Sequence, residues 1–143
     1  MRRFVVALVV AWFVATGASD GGQSRSSPAP VSLTGHWRGH VSDSFGQGNM
    51  TWDIVQAGTS ISGEMRSLGT SGAFRGSVSG TVQGSTLSFT ITIVRGLCSI
   101  TARGTATVVH DTISGTHTGT NSCDGPLTHG ELYLSREAPG GDA

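Results

Sequence analysis

Five histidines, nine acidic residues and two cysteines carry most of the chemical reach of this 143-residue chain. His36 and His40 share one face of an extended segment, but four residues of strand hold them roughly 13 Å apart, too far for a single metal ion. His110-Asp111 suits a tight turn, where Asp tolerates unusual backbone angles. His129 takes an outward parity. His117 differs: its parity sets an imidazole among apolar inward residues, where it needs a hydrogen-bond partner in the core or a polar atom of a bound guest. Asp53 and Glu64 fall on the outward parity, so no pair of inward carboxylates forms for acid–base work. Ser and Thr are spread too evenly to single out a nucleophile. No Gly-x-Ser-x-Gly elbow stands in a strand–turn–helix context, and no glycine-rich loop precedes a helix that would bind phosphate. No catalytic residue, metal ligand or cofactor follows, and the chain is expected not to be an enzyme.

The elements that must position these residues are strands. A short phrase recurs: Ser32-Leu33-Thr34-Gly35, Ser60-Ile61-Ser62-Gly63, Thr86-Leu87-Ser88-Phe89 and Thr112-Ile113-Ser114-Gly115, at steps of 28, 26 and 26 residues. Each step fits an out-and-back pair of strands, so four copies predict eight. Between the phrases, apolar residues alternate with Ser, Thr, Arg and Gln. One face collects Leu33, Trp37, Val41, Met50, Trp52, Ile54, Ile61, Met65, Phe74, Val78, Val82, Leu87, Phe89, Ile91, Ile93, Ile100, Ala102, Ala106, Val108, Ile113, Leu132 and Leu134. Period two with a single apolar face is an antiparallel sheet wet on one side. The expected fold is all-β: one eight-stranded antiparallel up-and-down barrel.

Two turns predict register. A two-residue turn at His110-Asp111 pairs Val108 with Ile113, Ala106 with Gly115 and Gly104 with His117. Continued down the ladder, it brings Cys98 opposite Cys123, at a Cα separation of roughly 4.5 Å and within disulfide reach. A turn at Gly84-Ser85 pairs Gly80 with Phe89 and Gly76 with Ile93, a large side chain over a glycine each time. The inward glycines have two readings: they let a small barrel bend and close, or they leave room for a guest.

The chain carries zero formal net charge and 13% charged residues. That argues against nucleic acid, which requires a basic face. Its nine basic residues are all Arg. Arg2 and Arg3, the apolar run from Phe4 to Ala15 and the small residues Thr16-Gly17-Ala18-Ser19 match an export signal over 1–18, cleaved after Ala18 or Gly17. The run is too short to span a bilayer, and no Cys is near it for lipid attachment. Secretion to the periplasm or beyond favours the Cys98–Cys123 disulfide. Residues 19–30 read as a Gly/Ser/Pro linker, 31–136 as the barrel domain and 137–143 as a loose tail. No integral membrane segment is expected in the mature chain, and the pattern sets no oligomeric state.

The first strand, Ser32-Leu33-Thr34-Gly35-His36-Trp37, resembles the opening of the avidin family, and its Gly35-His36-Trp37 core also resembles the first-strand signature of lipocalins. Both are eight-stranded barrels that bind small ligands, so the resemblance implies a structural Gly35 and a Trp37 that packs across one barrel end. Biotin binding is not implied: Gly39 and Asp43 stand where avidins carry an Asn and a Ser that bond the ligand. Two function classes remain open. One is a binder of a small, largely apolar molecule, walled by Met50, Trp52, Met65, Phe74, Phe89 and Ile91 with His117 as the polar contact. The other is a structural or protein-interaction module of the cell envelope with a filled core.

Overall fold

The computed structural model describes residues 31–139; the predicted signal and linker, and the tail from 140, lie outside the described residues. Eight strands follow one another: β1 (Gly35–Asp43), β2 (Gly46–Ala57), β3 (Ser60–Gly69), β4 (Gly72–Gln83), β5 (Thr86–Arg95), β6 (Cys98–Val109), β7 (Thr112–Asn121) and β8 (Gly125–Arg136). Each pairs antiparallel with the next, and β8 returns to β1 to close the barrel. The closing ladder sets Gly39 opposite Leu134, His40 opposite Tyr133 and Val41 opposite Leu132. Closure leaves no sheet edge to template aggregation.

Six of the seven connections are two-residue turns, so register passes unbroken from strand to strand. Gly58, Gly84 and Gly96 open three of these turns at φ near +60°, and His110 opens a fourth at +52°. A positive φ at this position matches the twist of the flanking strands. Both registers expected from the sequence are present: Val108–Ile113, Ala106–Gly115 and Gly104–His117 pair across β6 and β7. Gly80–Phe89 and Gly76–Ile93 pair across β4 and β5. The repeated phrase marks the starts of β3, β5 and β7, and its first copy runs into β1.

The β6–β7 ladder carries on past Ile100–Asn121 through a Ser122 N–H donated to Ser99 O (2.8 Å). Cys98 and Cys123 follow as a disulfide with Cα atoms 5.5 Å apart. The separation is wider than an ideal ladder pair because Cys123 sits in the three-residue β7–β8 turn rather than in a strand.

The last ladder departs from simple alternation. His117 faces Gly130, but Gly119 faces Leu127, so Thr128 and His129 together oppose one residue of β7. This is a β-bulge, with His129 at φ +55°. It reverses the parity of β8, and Leu127 becomes an inward, buried residue. The sequence alternation counted Leu132 and Leu134 as inward and passed over Leu127.

One barrel end is solid. The aliphatic residue of each phrase copy (Leu33, Ile61, Leu87 and Ile113) is buried there with Trp37. The Trp37 indole N–H donates to Leu33 O at 2.9 Å. The Arg136 guanidinium lies over the Trp37 ring, 4.5 Å from its centroid. Arg136 also donates to Thr34 O at 2.6 Å, to Ser32 O and to the Asp111 carboxylate at 3.0 Å. One cation thus ties the segment before β1 to the β6–β7 turn across the cap. Glu137 donates its N–H to His36 O at 2.8 Å, extending the β1–β8 edge by one bond.

The glycines at close cross-strand contacts favour the bending reading. A Cβ on Gly39 or Gly63 would lie 1.8 Å from a carbonyl oxygen of the adjacent strand, so no larger residue fits this curvature.

Two stability outcomes follow. Trp37→Ala removes a fully buried indole and the surface on which Arg136 lies, and is expected to cost about 3–5 kcal/mol, read as a lower Tm and denaturation midpoint. Replacing Cys98 and Cys123 together by Ser is expected to cost about 3 kcal/mol through the reopened loop in the unfolded chain. An unchanged midpoint under oxidising conditions would count against that linkage.

Candidate functional site

The strands that seal one end leave the other end hollow. Odd-numbered strands finish and even-numbered strands begin at this open end, and a cavity of about 450 Å³ lies within it. Its apolar wall includes Met50, Met65, Phe74, Ile91, Ile100 and Leu127. The volume falls in the range of ordinary small-molecule pockets. The question the glycines left open therefore has a divided answer: the barrel is filled in one half and hollow in the other.

Of the residues expected to meet a guest, Met50, Met65, Phe74, Ile91 and His117 line the cavity. Trp52 and Phe89 do not: they are buried in the solid core as an edge-to-face pair, with ring centroids 5.3 Å apart. The Trp52 indole N–H points to the Met50 sulfur at 3.0 Å. This pair lies beneath the cavity wall and fixes Met50 from behind. Parity alone assigns both aromatics to the inward face; it carries no information on which half of the barrel they fill.

The polar side of the cavity comes from β7, the β7–β8 turn and the end of β1. His117 is 5% exposed, and its Nε2 stands 3.6 Å from Asp43 Oδ2. The other Asp43 oxygen accepts the Phe45 N–H at 2.8 Å, so the carboxylate is pinned by the β1–β2 turn. The His117 Nδ1 is buried and has no hydrogen-bond partner. Gly130 makes room for the ring: a Cβ there would meet His117 Cδ2 at 2.4 Å and Nε2 at 2.5 Å. Among the described residues Asn121 is the second buried polar side chain. Its Oδ1 accepts the Cys123 N–H at 3.0 Å, and its Nδ2 donates to Asp124 at 3.0 Å. At the end of β5, Arg95 lies over the Phe74 ring at 5.1 Å and forms part of the lip.

Sequence reasoning found His117 and missed Asp43, Asn121, Asp124 and Arg95. Asp43 was visible as the last residue of β1, two before an aromatic turn residue, but nothing local says which way a strand-end carboxylate turns. Asn121-x-x-Asp124 carries a sharper signal, since Asn and Asp at this spacing bond turn backbone.

The remaining histidines stay outside the cavity. His36 pairs through Nδ1 with Asp53 and through Nε2 with Glu137 at 3.2 Å, and Arg38 joins Glu137 at 2.9 Å. His40, His110 and His129 are exposed. Among the described residues no group of three His, Cys, Asp or Glu side chains is arranged to hold a metal ion.

The site and fold define a closed, eight-stranded antiparallel up-and-down barrel with one solid end and one hollow end. Comparison with family models, curated proteins and solved structures returned no match for the chain.

Gly130→Ala tests how tightly His117 is seated. The added methyl would meet the imidazole and also the His117 carbonyl oxygen, at 2.4 Å, so both the ring and the local β7–β8 backbone must give, and a destabilisation of about 1–3 kcal/mol is expected from overpacking. The His117 ring resonances should shift in the NMR spectrum. Unmoved resonances and an unchanged Tm would mean the ring has slack.

Proposed function

We propose that this protein is an exported small barrel, lipocalin-like or avidin-like in form, that binds one small, largely apolar molecule in its open half. The observation that carries the reading is the 450 Å³ cavity, whose mainly apolar wall includes a buried imidazole with an unpartnered nitrogen. Pockets of this make combine apolar area for affinity with few polar groups for orientation. The disulfide stands at the same end, where Cys98 belongs to the cavity wall, and so braces the mouth.

The orientation of the wall supports a barrel that works in water. Its apolar residues face inward, and outward positions are largely Ser, Thr and Arg, the reverse of a lipid-facing barrel. The export signal at 1–18 supports a secreted or periplasmic location. No catalytic or cofactor chemistry is part of this reading.

The envelope-interaction alternative has one observation in its favour. Leu68, Val94 and Leu97 are exposed on β3, β5 and the β5–β6 turn, close to the open end. Apolar residues at a lip can meet a partner as well as a ligand in transit.

Extraction of the purified protein into organic solvent, followed by mass spectrometry, should release one apolar molecule in near-stoichiometric amount. Ala102→Leu, which adds bulk to the cavity wall, should abolish that recovery while the protein remains folded. An empty extract, together with no uptake of apolar dyes by the wild type, would leave the interaction reading standing instead.

A further inference from the structure

The turns at the two barrel ends differ in character. At the solid end they are Gly58-Thr59, Gly84-Ser85 and His110-Asp111, all glycine or polar. At the open end two of the four turns carry a large apolar residue, Phe45 and Leu97. Leu97 is 103% exposed, so its whole side chain stands in water beyond the sheet. Leu68 and Val94, near the open ends of β3 and β5, are exposed as well. These side chains bury little within the barrel, and their exposure is unfavourable in water.

Three exposed arginines are set among them. Arg66 and Arg75 are direct cross-strand partners on the outer face of β3 and β4. The β4–β5 register, carried one residue past Gly76–Ile93, sets Val94 beside Arg75. Arg95 reaches back over the Phe74 ring toward Gly72, where a Cβ would stand 3.5 Å from its guanidinium. Among the described residues, Arg75 and Arg95 pair with no carboxylate, and Arg66 approaches only Glu64, at 3.9 Å. Like charges directly opposite on a ladder oppose folding. A layer of negative charge outside the barrel relieves that repulsion. The acids of the mouth, Asp43 and Asp124, stand on the side of β1 and the β7–β8 turn, so the basic lip is confined to β3–β5.

Apolar tips beside unpaired cations match a bilayer interface with anionic headgroups. The aliphatic side chains enter the acyl boundary while the guanidinium groups stay among the phosphates. A protein partner calls for a packed centre rich in aromatics, and none of the exposed apolar residues here is aromatic. We infer that the lip formed by β3, β4, β5 and the β5–β6 turn docks this barrel on an anionic lipid surface. Leu97 is the inserting tip, and Arg66, Arg75 and Arg95 are the headgroup contacts. Leu68 and Arg95 also line the cavity, so docking turns its mouth toward the bilayer. An apolar guest then passes between membrane and barrel with little exposure to water. The docking stands on surface residues and does not require the cavity to hold a guest.

The test is co-sedimentation of protein expressed from the full sequence with vesicles of two compositions: phosphatidylcholine alone, and phosphatidylcholine with about 30 mol% phosphatidylglycerol. The apolar run at 4–15 is common to every variant, so the differences between variants carry the result. The wild type is expected to bind the anionic vesicles at least about tenfold more tightly than the neutral ones at about 50 mM salt. At about 500 mM salt the advantage should shrink to within about threefold. Arg75→Gln should weaken anionic binding about fivefold and leave Tm unchanged or raised, because it removes a like-charge pair. Leu97→Ser should weaken binding by about threefold to tenfold at unchanged Tm. Arg103→Gln makes the same charge change in the middle of β6, away from the lip, and should leave binding within about twofold of the wild type. Equal binding by the wild type and both lip variants overturns the inference, as does an equal loss in Arg103→Gln. Failure of the wild type to bind either vesicle also overturns it and leaves the lip to a protein partner. In each of these cases an apolar molecule recovered by solvent extraction would still uphold the cavity reading.

Discussion

The pairing of β8 with β1 is the contact on which everything else depends. Without it the chain is a curled meander with two free edges, and the apolar face has water at its margins. With it, Trp37 and the phrase aliphatics Leu33, Ile61, Leu87 and Ile113 come together as one plug. The strands that meet are about 90 residues apart in the chain, so the entropy of bringing them together is large and is offset only when the interior packs. Arg136 stands where that cost is met. It is the last residue of β8, it covers Trp37 and it bonds the backbone leading into β1.

The two halves of the barrel differ because their inward side chains differ in bulk. Trp37, Trp52 and Phe89 fill the closed half and the middle. Toward the open end the inward positions pass to Gly48, Gly69, Ala102 and the unbranched Met50 and Met65. Eight strands enclose an interior that side chains can just fill, so a few small residues are enough to leave a cavity. The disulfide then does at the hollow end what the indole does at the solid one: it holds strands that the local core holds less well.

The bulge in β8 links fold to site. A residue inserted at Thr128–His129 turns Leu127 into the wall. On the near side of the bulge Gly130 lies against the His117 ring, and on the far side the turn brings Asp124 to Asn121. The polar side of the cavity is thus built where regular pairing breaks, a common place for a side chain to be re-aimed.

Period-two alternation, the recurring phrase and short turns were enough to specify eight strands, their order and, through His110-Asp111 and Gly84-Ser85, two ladders. They were also enough to bring Cys98 to Cys123. These properties are local: each depends on residues within one hairpin, and an unbroken two-residue turn carries register without reference to the rest of the chain. The sequence alone marked His117 as the odd inward residue, because a polar group on an apolar face is visible from parity.

What tertiary structure decided is everything that depends on barrel level and on contacts between distant segments. Parity places Trp52 and Met50 on the same face; only closure shows that one is core and the other cavity wall. The approach of Asp43 to His117 joins residues 74 positions apart, across the β1–β8 seam, through a bulge that alternation does not announce. Side-chain volume summed around a closed ring sets where the interior is empty, and no single strand carries that sum.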